Sequence, residues 1–142
     1  MKVFVTGVKG QLGYEVVKEL EKRGLEAIGV DIEEMDITNA LDVDKVICEA
    51  NPDAVIHCAA YTAVDAAEDN EDLCRKINVM GTEYIAQCCQ EQNCKLIYLS
   101  TDYVFNGEGN FEQLNQKYPI IAQDLKALIT EVIHQKKAKE EK

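Results

Sequence analysis

Lys2-Val-Phe-Val-Thr6, followed without a break by Gly7-Val8-Lys9-Gly10-Gln11-Leu12-Gly13, decides the fold of this 142-residue chain. An apolar, β-branched run enters a glycine-rich turn, and the turn enters a segment with Leu12, Val16, Val17 and Leu20 at helical spacing. Strand, tight loop and helix in that order set a pyrophosphate on a helix N-terminus. Gly7 turns the chain off the strand, Gly10 leaves the backbone open to the phosphates, and Gly13 lets the helix pack closely on the sheet. The spacing is GxxGxxG, looser than GxGxxG, so its weight comes from its place between a strand and an amphipathic helix.

Working outward, strand and helix signals alternate. Gly24 is placed to end the first helix at Lys22, and Glu26 to Val30 reads as a second strand that stops at Asp31. Thr38 or Asn39 caps a helix running to about Ala50, with Leu41, Val43, Val46 and Ile47 facing inward. Asn51-Pro52-Asp53 is a turn, and Ala54 to Cys58 is a third strand. Residues 66–92 are helical with a break near Asn70, and Lys95 to Ser100 is a fourth strand. The strands are short apolar runs without alternation, as parallel strands covered on both faces are. The expected fold is α/β: a doubly wound, Rossmann-like parallel sheet with strand order 3-2-1-4 and its ligand at the carboxyl edge. After Gly107-Glu108-Gly109 the pattern changes. The expected division is a dinucleotide-binding unit over 1–109 and a tail over 110–142, with a C-terminal amphipathic helix at about 118–138.

Composition narrows the class. A hydrophobic content of 46%, 29% charged residues and two prolines suit one globular domain. The formal net charge of −11 sets the chain against nucleic acid and anionic membrane surfaces. No apolar run approaches the roughly 20 residues of a membrane span, and the first residues do not read as an export signal. The six cysteines form no CxxC pair and several occupy apolar positions, which points to free, buried thiols in the cytoplasm. No metal-ligand spacing appears.

The candidate site residues lie where the strands end. Asp31, 18 residues after Gly13, is placed to accept hydrogen bonds from an adenosine ribose. Its carboxylate favours NAD, because it repels a 2′-phosphate; Lys9, inside the loop, would offset that repulsion, so NADP and NAD both stay open. Cys58, Ala59, Ala60, Tyr61 and Thr62 follow the third strand, the first three being small enough to leave room for a flat ligand. Thr101, after the fourth strand, is the hydroxyl best placed to meet a substrate carbonyl.

Five segments together carry a resemblance: Thr6-Gly-Val-Lys-Gly-Gln-Leu-Gly13, Asp36-Ile-Thr38, Ala59-Ala-Tyr-Thr-Ala-Val-Asp65, Asn78-Val-Met-Gly81 and Ser100-Thr-Asp-Tyr-Val-Phe105. Over about residues 1–109 the chain resembles the dTDP-4-dehydrorhamnose reductases, extended short-chain dehydrogenases that reduce a 4-keto sugar nucleotide with NAD(P)H on the way to dTDP-L-rhamnose. The resemblance implies that Gly7, Gly10, Gln11 and Leu12 contact the pyrophosphate, and that Asp31, Asp36 and Ile37 surround the adenosine. It further implies that Ala59 to Thr62 line the path to the nicotinamide, with Asn78 in a segment characteristic of the family. Thr101 would be a catalytic hydroxyl, and Tyr103 would face the dTDP-sugar.

The chain departs from the family after Gly109. The Tyr-x-x-x-Lys motif, whose tyrosine protonates the carbonyl oxygen and whose lysine lowers that tyrosine's pKa, does not occur there. Its one occurrence at that spacing is Tyr14 with Lys18, on the first helix, a surface pair. The expectation is therefore a shortened member that binds dinucleotide and turns over little or nothing alone. The alternatives are a non-catalytic regulatory or binding module, or an engineered or misassembled fragment. A sheet face left uncovered would favour a homodimer.

Overall fold

The computed structural model describes residues 1–99, and Met1–Leu99 form one compact unit. The elements run β1 (Lys2–Thr6), α1 (Gln11–Lys22), β2 (Glu26–Val30), α2 (Ala40–Ala50), β3 (Ala54–His57), α3 (Val64–Asp69), α4 (Glu71–Arg75), a π-helical turn (Lys76–Gly81), α5 (Thr82–Glu91) and β4 (Lys95–Tyr98). The tail helix expected at 118–138 and the end of the fourth strand at Ser100 lie outside the described residues.

All pairings in the four-stranded sheet are parallel, in the order β2-β1-β3-β4. This corrects the expected order 3-2-1-4. The link from β2 to α2 is too short to carry a strand and helix of its own, so the chain crosses directly from α2 to the far side of β1. β1 is thereby central, flanked by β2 with Lys2 opposite Glu26 and by β3 with Thr6 opposite His57. Their burial agrees: Val3 to Thr6 are buried, whereas Glu26 and Gly29 of β2 are exposed. The reversal of strand order falls between β1 and β3, the point where an open α/β sheet forms a ligand crevice.

Helices cover both faces. Phe4 and Val55 lie in one cluster with Val43 and Ile47 of α2 and Ile85, Cys88 and Cys89 of α5, while Val3 and Val5, alternating with Phe4, are buried outside that cluster. α1 lies against β1 and β2, where an added Cβ on Gly29 would come within 2.8 Å of Val8 Cγ1.

The helix ends follow from local chemistry. Gly24, at φ +71°, closes α1: its N–H donates to the Glu21 carbonyl and the Leu25 N–H donates to that of Leu20. The Asn39 side chain accepts from the N–H groups of Leu41 and Asp42 and so caps α2. The break expected near Asn70 separates α3 from α4. One inward assignment is corrected, Leu41 being 82% exposed, and Leu12, at helical spacing with Val16, Val17 and Leu20, is 50% exposed. Both sit in the first turn of their helices, where apolar periodicity continues but the sheet no longer lies beneath.

Candidate functional site

The site begins at the carboxyl end of β1. Gly7 takes φ +72°, and its N–H donates to the Val30 carbonyl at 2.9 Å, tying the loop to the end of β2. A side chain there would meet the Ala59 backbone at 2.7 Å, so the glycine turn and the end of β3 are in direct contact. Gly13 is buried beneath the loop, where an added Cβ would reach the Gly7 backbone, its carbonyl carbon lying 2.7 Å away. Gly10 differs. Its backbone is extended, and a Cβ would meet only the Gly7 oxygen, at 3.3 Å. Packing and φ thus demand glycine at positions 7 and 13, whereas at 10 the missing side chain leaves open space outside the loop.

Gly10 is also the N-cap of α1 and offers no side chain to the first turn, which carries no acidic residue. The first N–H groups of a helix have no partner within it and carry the positive end of the helix dipole. Gln11 and Leu12, both exposed, stand in that first turn.

The second wall is the end of β2. Asp31 Oδ2 accepts from the Lys9 N–H at 2.9 Å, and Oδ1 accepts from the Ile32 N–H at 2.9 Å, so this carboxylate braces the glycine loop from across the groove. The Lys9 ammonium lies 2.7 Å from Glu33. The hydrogen bond to Glu33, reinforced by the charges of Glu34 and Asp31, holds the Lys9 pKa above its ordinary value. Asp36 accepts at Oδ1 from both the N–H and the hydroxyl of Thr38, so that oxygen shapes its own turn. Ile37 packs over Gly81, where a Cβ would lie 3.0 Å from it.

The third wall follows β3. Thr6 Oγ1 accepts from the N–H groups of both Cys58 and Ala59 at 3.1 Å. Farther on, Asn78 clamps Tyr61 from both sides: Oδ1 accepts from the Tyr61 N–H at 2.8 Å, and Nδ2 donates to the Tyr61 carbonyl at 3.1 Å. The π-helical turn aims Asn78 at this loop, and irregular turns of this kind are common at functional sites. Burial pushes the Cys58 thiol up to about 11, so it stays protonated and is no nucleophile at neutral pH.

These walls enclose an open groove of about 530 Å³. Of the expected residues, Gly7, Lys9, Gly10, Asp31, Asp36 and Ile37 line it, with Cys58, Ala59 and Ala60 on the far side. Gly13 supports the groove from below; Gln11 and Leu12 border it; Tyr61 and Thr62 lie beyond its lining, and Asn78 acts on it through Tyr61. Thr101 and Tyr103 lie outside the described residues. Sequence reasoning missed the apolar lining: Ile32, Met35, Leu73 and Ile77. Ile32, 73% exposed beside Asp31, is the clearest of these, and its place directly after the carboxylate that ends β2 was the available signal.

A groove at the switch point of a doubly wound sheet, with an uncapped helix N-terminus on one side and a strand-end carboxylate on the other, defines an α/β domain of the doubly wound, Rossmann-like class. The family model described as RmlD substrate binding domain matches residues 1–140, and the chain belongs to that family. It is 40% identical over 105 residues to a dTDP-4-dehydrorhamnose reductase of Streptomyces griseus, an alignment covering 74% of this chain and 34% of that protein. Among solved structures it resembles the dTDP-4-dehydrorhamnose reductase of Clostridium acetobutylicum, with a TM-score of 0.72 and 44% identity over 78% of this chain and 39% of the other. The Bacillus anthracis reductase, solved in complex with NADP, gives a TM-score of 0.71 and 42% identity over 76% of this chain and 39% of that one. The chain thus spans 34–39% of the length of these relatives. The family match extends past Gly109, where the quoted motifs stop. Among the described residues, no helix is long and apolar enough to cross a membrane.

Proposed function

We propose that this chain is the NAD(P)-binding part of a dTDP-4-dehydrorhamnose reductase-like oxidoreductase, spanning about residues 1–109 with a tail to 142. The observation that carries the reading is the convergence of the uncapped α1 N-terminus, the open position at Gly10 and the Asp31 carboxylate on one groove. The first turn of α1 would take the pyrophosphate, Asp31 the adenosine ribose, and Ile32 and Ile37 the adenine. The small residues Ala59 and Ala60 would admit the nicotinamide, held in place through Thr6 and the Asn78 clamp on Tyr61. When bound, the dinucleotide supplies the hydride. The chain's own part is to hold it with one face toward the strand ends, where Thr101 and Tyr103 follow β4 in sequence. The substrate of the complete reaction would be a dTDP-linked 4-keto sugar.

Hydride transfer also needs a proton donor. The absence of Tyr-x-x-x-Lys after Gly109 supports little or no turnover by this chain alone, since a positioned general acid contributes about 10²–10⁴ in rate. A cytoplasmic homodimer belongs to the same reading; exposed Val79 and Met80 on the π-helical turn support self-association, which light scattering would measure.

The test is a pair of binding isotherms, with NADH and with NADPH, for wild type and Gly10→Val. The valine fits an extended backbone and meets little of the protein, so thermal stability stays close to wild type while affinity for both nucleotides collapses. Equal binding by the two proteins would remove the glycine loop as the cradle. Turnover of dTDP-4-dehydrorhamnose at the rate of complete relatives would remove the claim of lost catalysis.

A further inference from the structure

We propose that Asp44, Cys48 and Cys88, joined by Gln92, form a site for a thiophilic divalent cation, zinc foremost, that clips α2 to α5. The site lies apart from the nucleotide groove and does not depend on that reading. Asp44 and Cys48 stand one helical turn apart on α2; Cys88 and Gln92 stand one turn apart at the end of α5. Side chains at i and i+4 share a face, so two packed helices each bring two donors to one point.

The spacings suit a tetrahedral ion. Asp44 Oδ1 lies 3.5 Å from Cys48 Sγ and 3.9 Å from Cys88 Sγ, and the donor atoms of Asp44, Cys48 and Cys88 all fall within 4.8 Å of one another. Around a tetrahedral zinc, with Zn–S near 2.3 Å and Zn–O near 2.0 Å, an oxygen–sulfur edge is about 3.5 Å and a sulfur–sulfur edge about 3.8 Å. The cluster needs only small adjustments to close on an ion. Gln92 already touches both sulfurs, its amide nitrogen 3.0 Å from Cys48 and 2.9 Å from Cys88. A half-turn of that amide presents Oε1 as the fourth donor; a water in its place completes a three-ligand site.

Two sulfurs select zinc or cadmium over magnesium or calcium, which take oxygen ligands. Cys88 is buried whereas Asp44 and Cys48 are exposed, so the ion has a floor and an open approach. Without the cation both sulfurs are free thiols. Uptake replaces two S–H bonds by two metal–sulfur bonds and releases two protons to solvent. The bound ion joins the helix that follows the Asp36–Asn39 turn to the helix that follows Gly81, so its effect is on the stability of one sheet face.

The experiment uses the full 142-residue chain, reduced and freed of metal, titrated with cobalt(II) and then zinc. The expected result is one cobalt per chain, with the absorption of a tetrahedral thiolate complex, displaced by zinc, and a melting temperature that rises with zinc. Cys48→Ser, at an exposed position, melts like wild type without metal and loses the thiolate band and the zinc-dependent rise. Asp44→Asn weakens uptake by about tenfold or more. Cys94→Ser, next to the separate thiol Cys89, leaves uptake unchanged. Wild-type affinity in Cys48→Ser, loss of uptake in Cys94→Ser, or a Cys48–Cys88 disulfide formed under reducing conditions in place of metal uptake would each overturn the proposal.

Discussion

The Thr6 hydroxyl donates to Nδ1 of His57 at 2.7 Å, joining the last residues of the two central strands in a buried bond. The directions of the surrounding bonds fix the tautomer. Thr6 Oγ1 already accepts from the Cys58 and Ala59 N–H groups, so its own proton goes to Nδ1. Thr82 Oγ1 donates to the Asn78 carbonyl at 2.8 Å, so it accepts from His57 Nε2, 3.0 Å away. His57 is therefore neutral with its proton on Nε2, and each hydroxyl and ring nitrogen in the chain from Thr6 to Asn78 has a hydrogen-bond partner. One end of that chain holds the groove-lining backbone at Cys58 and Ala59, and the other is the residue that clamps Tyr61.

A pH dependence of stability follows. Burial lowers the His57 pKa from 6.5 to about 4. In that window the unfolded chain binds a proton that the folded chain refuses. The histidine's contribution is thus complete above about pH 6.5 and is lost as the pH falls toward 4, by about 3 kcal/mol in full. Urea unfolding at pH 7 and pH 5 reads it. His57→Asn, less stable at pH 7, should show a shallower loss between the two values than wild type; parallel losses would mean that carboxylates carry the whole effect.

Thr6→Val tests the same node from the other side. The shape is kept, but two N–H groups at the mouth of β3 lose their acceptor. Both N–H groups are half-buried, and each unpaired donor costs about 1–3 kcal/mol, so a destabilisation of about 2–6 kcal/mol is expected, with Thr6→Ser close to wild type. Dinucleotide affinity should fall along with stability in the valine variant only, because the Cys58–Ala59 backbone borders the groove.

Much of this was legible in the chain because it is local. Gly13, Gly24 and Asn39 act within a few residues of themselves, Gly7 turns the chain by its own positive φ, and Asn70 marks a break by its own backbone. The position of β3 is not local: the run Ala54–His57 is equally apolar on either side of β1, and only the short, strandless link at 31–39 decides. Leu12 and Leu41 obey helical periodicity yet face solvent, because periodicity names a face and not what lies under each turn. The Thr6–His57 bond and the Asn78 clamp depend on register between strands and on a π-helical turn, which residue spacing does not encode. The Asp44–Cys48–Cys88 cluster was passed over for the same reason, since its two halves are 40 residues apart.

Gly13→Ala separates packing from ligand approach. An added methyl at position 13 enters the Gly7 backbone, which cannot yield without moving the loop off β1. A loss of about 3 kcal/mol is expected, in the range of overpacked cores. Gly10→Ala meets only the Gly7 oxygen at 3.3 Å and should cost much less. Thermal melts of the two proteins check the order; a more damaging alanine at position 10 would contradict the loop geometry.

The last prediction concerns the choice between NADH and NADPH. Lys9 is the cation inside the glycine loop, and a 2′-phosphate beside Asp31 would look to it for compensation. In the structure that ammonium is bonded to Glu33 at 2.7 Å, with Asp31 and Glu34 adding further negative charge around it. A phosphate must displace Glu33 and approach three carboxylates with one lysine, so the wild-type chain should bind NADH more tightly. Glu33→Gln removes one carboxylate and frees Lys9. Both groups are exposed, so the gain is the small one of a surface ion pair, a modest rise in NADPH affinity with little change for NADH. Raising the salt concentration should narrow the difference between wild type and variant, because exposed charges are screened within about 8–10 Å at ordinary ionic strength. Calorimetric titration of both nucleotides at two salt concentrations measures all of these terms, and an equal gain for NADH and NADPH would show that Glu33 acts on the loop and not on the phosphate.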